Sequence, residues 1–311
     1  MISDAWSRSS PVLFVFFNRP ETAARVFARI RDARPKTLIL ASDGPRPGID
    51  GEAALIDGLR RDIESRIDWD CDVTRDYAAE NIGCGRRLST AIETVLGRQG
   101  RAIILEDDCV PASTFFPYCD TLLDRFEANA DIVSISGTNL QGRCSRPGIG
   151  LTHFAQIWGW ATWARAWEGY DRELKGWDPG FLDDIAREGI IPSFMPESWK
   201  DVFKWVSKNS LSTWDVQFWL LALKKRGLTV FPYRNQISNI GAGSGATHTL
   251  SGRFCKLATH PLETLSGEAR IDSGYEQFLQ YEFYSNRTTW RNASWKAAHK
   301  LRCLASKLHA G

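Results

Sequence analysis

Residues 102 to 111 read AIILEDDCVP, an aliphatic run that ends in Glu106, Asp107 and Asp108. Three adjacent carboxylates repel one another, and a divalent cation with oxygen ligands, Mg²⁺ or Mn²⁺, would offset that repulsion. Along an extended chain successive side chains alternate, so Glu106 and Asp108 share a face while Asp107 points the other way. A cation held by few carboxylates keeps coordination positions open for phosphate oxygens. A solvated acidic turn or a structural calcium site would use the same residues. What favours function is position, because the carboxyl ends of parallel strands are where loops and helix N-termini gather around ligands.

The elements that must carry this tip follow from hydrophobic periodicity. From Val12 to about Ile135, short apolar runs (VLFVFF, TLILAS, CDVTRDY, AIILED, DIVSIS) alternate with amphipathic stretches such as ETAARVFARIRDARP and RRLSTAIETVLGRQG. That alternation predicts an α/β fold: a Rossmann-like, mainly parallel sheet with helices on both faces. The second half reads differently. Residues 156 to 219 hold nine of the thirteen tryptophans, and frequent Gly and Pro predict a loop- and Trp-rich subdomain with short helices. A helix over WDVQFWLLALKKR is expected, capped by Ser212 or Thr213 and closed by Gly227 at the left-handed position. LTVFPY reads as a strand, and a glycine-spaced loop, GAGSGATHT, follows. The organisation expected is 1–140 as a nucleotide-sugar-binding half, 141–260 as the acceptor-binding half of the same domain, and 261–311 as a helical basic tail.

LILASDGPR, NIGCGRR, IILEDDCVP, WGWATW and WDVQF, in this order from about Pro11 to His248, resemble the nucleotide-sugar glycosyltransferases of the GT-A fold. The likeness is to bacterial enzymes of the family 2 and N-acetylglucosaminyltransferase I kind, whose short acidic motif is Glu-Asp-Asp. The resemblance implies that Asp108 is the metal ligand, while Glu106 and Asp107 reach the ribose or donor sugar. It implies that Phe17, Asn18 and Arg19 at the first strand's end, with Asp43, frame the nucleobase and ribose, and that Arg86 or Arg87 lies near the nucleotide. These residue types also dominate ordinary turns.

Asp215, at the start of the WDVQF helix, is the candidate base that takes the acceptor's proton in a single displacement with inversion. An acid in a helix's first turn is stabilised by the dipole in any case, and Asp171 and Asp178 are the substitutes. His248 is a candidate for metal or phosphate contact, though a lone loop histidine is commonly a surface residue. Trp158 and Trp160 are the expected acceptor-binding platforms, the other tryptophans being core. The function expected is metal-dependent transfer from a UDP- or GDP-sugar to a glycan or lipid-linked hydroxyl acceptor in bacterial surface glycan assembly. The alternatives are a sugar-phosphate nucleotidyltransferase, whose glycine-rich signature is replaced here by FFNRPE, and a carbohydrate-binding protein with a structural cation.

Composition narrows the partners. A net charge of +2 over 311 residues gives no reason to expect nucleic acid. Seven cysteines without CxxC pairs point to reduced thiols in a cytoplasmic protein. Beyond Glu282 no acid occurs, and Trp290, Ala293, Ala297, Leu301, Leu304 and Leu308 fall on one helical face among basic residues. Such a helix could rest peripherally on the inner face of the cytoplasmic membrane, dock on the domain or mediate self-association.

Overall fold

The computed structural model describes residues 9–142, 146–209, 213–241, 254–262, 264–265 and 269–284. The first half alternates as its periodicity predicts: β1 (Val12–Phe16), α1 (Pro20–Ala33), β2 (Thr37–Ser42), α2 (Glu52–Ser65), β3 (Asp72–Tyr77), α3 (Cys84–Gln99) and β4 (Arg101–Glu106). A short strand β5 (Cys109–Pro111), helix α4 (Phe115–Arg125) and strand β6 (Ile132–Ser136) follow. The remainder comprises β7 (Ile149–Thr152), β8 (Trp160–Trp163), α5 (Ala164–Trp167), α6 (Phe181–Arg187), α7 (Met195–Asn209), α8 (Asp215–Lys224), β9 (Leu228–Pro232), β10 (Ile237–Asn239) and α9 (Ser273–Phe278), which runs into a π turn over Leu279–Phe283.

Eight strands form one sheet in the order β3-β2-β1-β4-β8-β6-β9-β7. Neighbours β3, β2, β1 and β4 are parallel, as are β6 and β9, whereas β8 and β7 run against their neighbours. The mainly parallel Rossmann-like sheet is therefore the one expected, with antiparallel β8 inserted and antiparallel β7 at its edge. Sequence periodicity missed both. Each is four residues long and buried on both faces, so no apolar-polar alternation marks it. The stretch WGWATW, read as part of a loop-rich subdomain, supplies a strand in the middle of the sheet.

Alternate residues of β1 enter opposite cores. Val12, Phe14 and Phe16 belong to the core shared with Val26, Phe27 and Ile30 of α1 and with residues of α2 and α4, while Leu13 and Val15 belong to the core shared with α3, α7 and α8. The sequence of α1 suits its place: Pro20 opens it, Glu21 sits in the first turn, and Ala23, Val26, Phe27 and Ile30 form one buried stripe. Among the described residues no helix is long and apolar enough to cross a membrane.

The strand ends that face the site are tied together by polar contacts. Arg60 of α2 donates to the Asp43 carbonyl (2.9 Å) and the Ala78 carbonyl (3.0 Å), joining the ends of β2 and β3. Gly44 lies under the following loop so closely that a Cβ there would stand 2.6 Å from the Glu80 nitrogen and 2.7 Å from the Ala79 carbonyl carbon. The expected close of α8 needs correction. Arg226, not Gly227, takes the left-handed conformation (φ 50°), and Gly227 is required because a Cβ would lie 2.8 Å from Val133 Cγ2.

Two alanine substitutions should therefore act in opposite directions. Gly44→Ala should lower unfolding free energy by about 2 kcal/mol or more, since backbone must part to admit the methyl group. Gly97→Ala, in open space within α3, should raise it by about 0.5–1 kcal/mol. Urea denaturation of both variants measures the pair.

Candidate functional site

Strand β4 ends at Glu106, which pairs in register with Val15, so the acids continue level with the end of β1. Asp107 turns inward, 3% exposed, and accepts the Phe17 backbone N–H (3.2 Å) and a guanidinium N–H of Arg19. Asp108 turns the other way and accepts the second arm of Arg19 at 3.2 Å. Glu106 and Asp108 both line one cavity of about 490 Å³, and Asp107 does not. The division of the three acids is that of an alternating strand, although the strand itself stops at Glu106.

Loss of hydration pushes the Glu106 carboxyl well above its usual range, and the charges of Asp108, Asp107 and Asp215 push it further, against the pull of Arg19. Burial likewise raises Asp107 to about 6, with Arg19 opposing and Asp108 adding. The ribbon of β10 on β5 closes one side of the tip. Its Asn239 pairs in register with Cys109, Ile240 donates its N–H to the Asp108 carbonyl (2.8 Å), and Gly241 passes the Asp108 carboxylate where a Cβ would stand 2.9 Å from Cγ. Asn239 and Gly241 line the cavity and were not singled out from the sequence; the glycine-spaced loop was the available signal.

Asp215 reaches the same cavity from the opposite half of the chain. It is the first residue of α8, and the Thr213 hydroxyl donates to its Oδ1. Among the described residues no side chain caps the helix. The N-cap is Trp214, and the start is held instead by Gln217 Nε2 on the Thr213 carbonyl (3.0 Å) and by the Tyr170 hydroxyl on the Trp214 carbonyl (3.0 Å). Ser212 lies outside the described residues. The substitutes for Asp215 sit elsewhere: Asp171 accepts from the Glu173 and Gly176 amides, and Asp178 from the Gly180 amide, so both shape local turns.

The other candidates divide. Asn18 donates to Glu52 Oε1 (2.9 Å), and Glu52, buried at the start of α2, also binds the Arg46 backbone and side chain. Those hydrogen bonds, the Arg46 side chain first, hold the Glu52 carboxyl down to about 2. Phe17 is half-buried, with the Arg46 guanidinium 5.7 Å from its ring centre. Asp43 is buried, and its carboxylate accepts the backbone N–H groups of Gly44, Ile82 and Gly83 at 2.9 to 3.0 Å, which anchors the NIGCG loop. Arg86 is exposed, whereas Arg87 is buried and paired with Asp76 on β3. Neither Asp43 nor Arg87 lines the cavity, and both carry folded-chain contacts.

Trp158 is half-buried and lines the cavity. Trp160 does not: it is 1% exposed in β8, stacked on Trp214 (5.7 Å between ring centres) and packed on Phe218 (4.9 Å), and so belongs to the core. Trp199 of α7 and Trp219 of α8 join Trp158 on the wall. His248 and the tail beyond residue 284 lie outside the described residues.

Among the described residues no three His, Cys, Asp or Glu side chains converge to hold a metal ion unaided. The donor set nevertheless fits a cation that takes part of its shell from elsewhere. Among the described residues the cavity is lined by the carboxyl groups of Glu106, Asp108 and Asp215 and by one guanidinium, that of Arg19. Hard divalent ions bind through one or two carboxylates plus water and phosphate.

No protein family and no curated protein matches the chain. Among solved structures, a UDP-glucose pyrophosphorylase complexed with UDP-glucose aligns at 8% identity over 72% of this chain and 90% of that one, with a TM-score of 0.35. Mouse xyloside xylosyltransferase 1 in its apo form aligns at 12% identity over 69% and 81%, with a TM-score of 0.30. Likenesses this remote carry no argument about activity.

Glu52 offers a pH test of its pairing with Arg46. Because its folded value lies below its ordinary one, its stabilisation is present above about 4.5 and is lost as pH falls toward 2. Glu52→Gln should therefore melt below the wild type at pH 7, with the gap narrowing over that acid range in thermal scans.

Proposed function

We propose that the protein is a GT-A-type glycosyltransferase that moves a sugar from a UDP- or GDP-sugar to a hydroxyl acceptor, with Mn²⁺ or Mg²⁺ as cofactor. The observation that carries this reading is the convergence on one cavity of two carboxylates from the end of a parallel strand, Glu106 and Asp108, with a third, Asp215, from a helix start.

In this reading Asp108 holds the cation, with Glu106 beside it. The cation, when bound, neutralises charge that grows on the departing diphosphate. Arg19 adds a fixed positive charge at the same end of the cavity. Asp215 accepts the proton of the acceptor hydroxyl as its oxygen bonds to the anomeric carbon and the bond from that carbon to the diphosphate breaks. Attack opposite the leaving group inverts the anomeric centre. Trp158, with the half-buried Trp199 beside it, offers ring faces to the apolar C–H patches of an acceptor sugar. A glycan or lipid-linked acceptor and an assembly role at the bacterial surface remain the expectation from the sequence resemblance.

Two variants test the division of labour. Asp215→Asn should reduce transfer by about 10²–10⁴-fold while leaving nucleoside-diphosphate affinity within about threefold. Asp108→Asn should abolish the dependence of that affinity on Mn²⁺. Calorimetric titration with UDP and GDP, beside turnover on a panel of nucleotide sugars, measures both; full turnover by Asp215→Asn would remove that residue from its role.

A further inference from the structure

Arg19 is the one Lys or Arg among the described residues that line the cavity, and its two arms are used unequally. One arm is held by Asp107, which is 3% exposed and is itself fixed by the Phe17 backbone N–H (3.2 Å). The other arm reaches across to Asp108, which faces the cavity, at 3.2 Å. The backbone at this point is committed, because Arg19 is the N-cap of α1 and is followed by Pro20. The guanidinium thus has a buried anchor on one side and a partner in the cavity on the other, and it covers the carboxylate that the proposed function assigns to the cation.

We propose that Arg19 is the resident counter-ion of the acidic tip: it neutralises Asp108 until an anionic diphosphate arrives, then turns its outer arm onto the phosphate, pivoting on Asp107 and leaving Asp108 to the cation. Asp107 is on this account a positioning residue for the guanidinium and does not touch the donor. The exchange conserves charge. Asp108 trades a guanidinium for a divalent ion, and the guanidinium trades a carboxylate for a phosphate, for which its planar fork is equally suited. Cation and nucleotide are then coupled through one side chain, each making room for the other.

The inference rests on the glycosyltransferase reading, and one variant separates it from a loss of fold. Arg19→Gln should bind Mn²⁺ in the absence of nucleotide about tenfold more tightly than the wild type, because Asp108 is uncovered. The same variant should bind UDP or GDP in EDTA about tenfold more weakly, because the phosphate loses its guanidinium. A damaged fold would weaken both. Arg19→Lys, which keeps the charge but loses the fork that bridges Asp107 and Asp108, should fall between the wild type and Arg19→Gln in both, and Asp107→Asn should weaken nucleotide-free Mn²⁺ binding, since Arg19 then spends its whole charge on Asp108. Free Mn²⁺ measured by electron paramagnetic resonance and nucleotide titration by calorimetry provide the readouts. Unchanged or weaker Mn²⁺ binding by Arg19→Gln, with nucleotide binding intact in the wild type, would overturn the counter-ion role alone. Failure of the wild type to bind either nucleotide under any condition would overturn the glycosyltransferase reading and this inference with it.

Discussion

The buried carboxylate of Asp107 joins the ends of two neighbouring parallel strands, and the geometry of the cavity follows from that contact. By accepting the Phe17 N–H it holds the first residue beyond β1 against the first residue beyond β4. By accepting Arg19 it brings a positive charge to the one place where three acids adjoin. An unpaired buried carboxylate would cost several kcal/mol, so the guanidinium is as much a condition of the fold as a feature of the site. With Asp107 spent inward, Glu106 and Asp108 are left facing the cavity.

The opposite wall is set by aromatic packing. Trp160 from β8 lies against Trp214 and Phe218 at the start of α8, and Trp167 stacks on Tyr170 at 4.1 Å, whose hydroxyl in turn binds the Trp214 carbonyl. These rings determine where α8 begins and hence where Asp215 stands. The dense tryptophans of residues 156 to 219 therefore act mainly through packing, and only some, Trp158 among them, reach the cavity.

Much of the first half was legible because its strands are five- or six-residue runs separated by clear amphipathic stretches: α1 shows a buried stripe at helical spacing, and β1 is an unbroken apolar run whose residues divide between two cores. The acidic tip was legible for the same reason, since a strand period of two separates Asp107 from its neighbours. Strands β7 and β8 were not, being four buried residues each. The contacts of Asp43 with three backbone amides and of Arg87 with the Asp76 carboxylate were not legible, because an acid in a loop or an arginine in a first helical turn looks alike in sequence whatever it binds. Trp160 misled because an indole suits a core as well as a sugar face.

The sequence by itself determined the class of fold, the order of its first seven elements and the presence of clustered carboxylates at a strand's end, all of which are local properties of neighbouring residues. Only the tertiary structure decided which of those groups meet. Asp215 lies 107 residues beyond Asp108, yet lines the same cavity, and the contact of Arg19 with Asp107 spans 88. Such encounters depend on strand order and on the inserted antiparallel β8, and no local pattern encodes them, because the free energy that selects them comes from burial shared across the whole sheet.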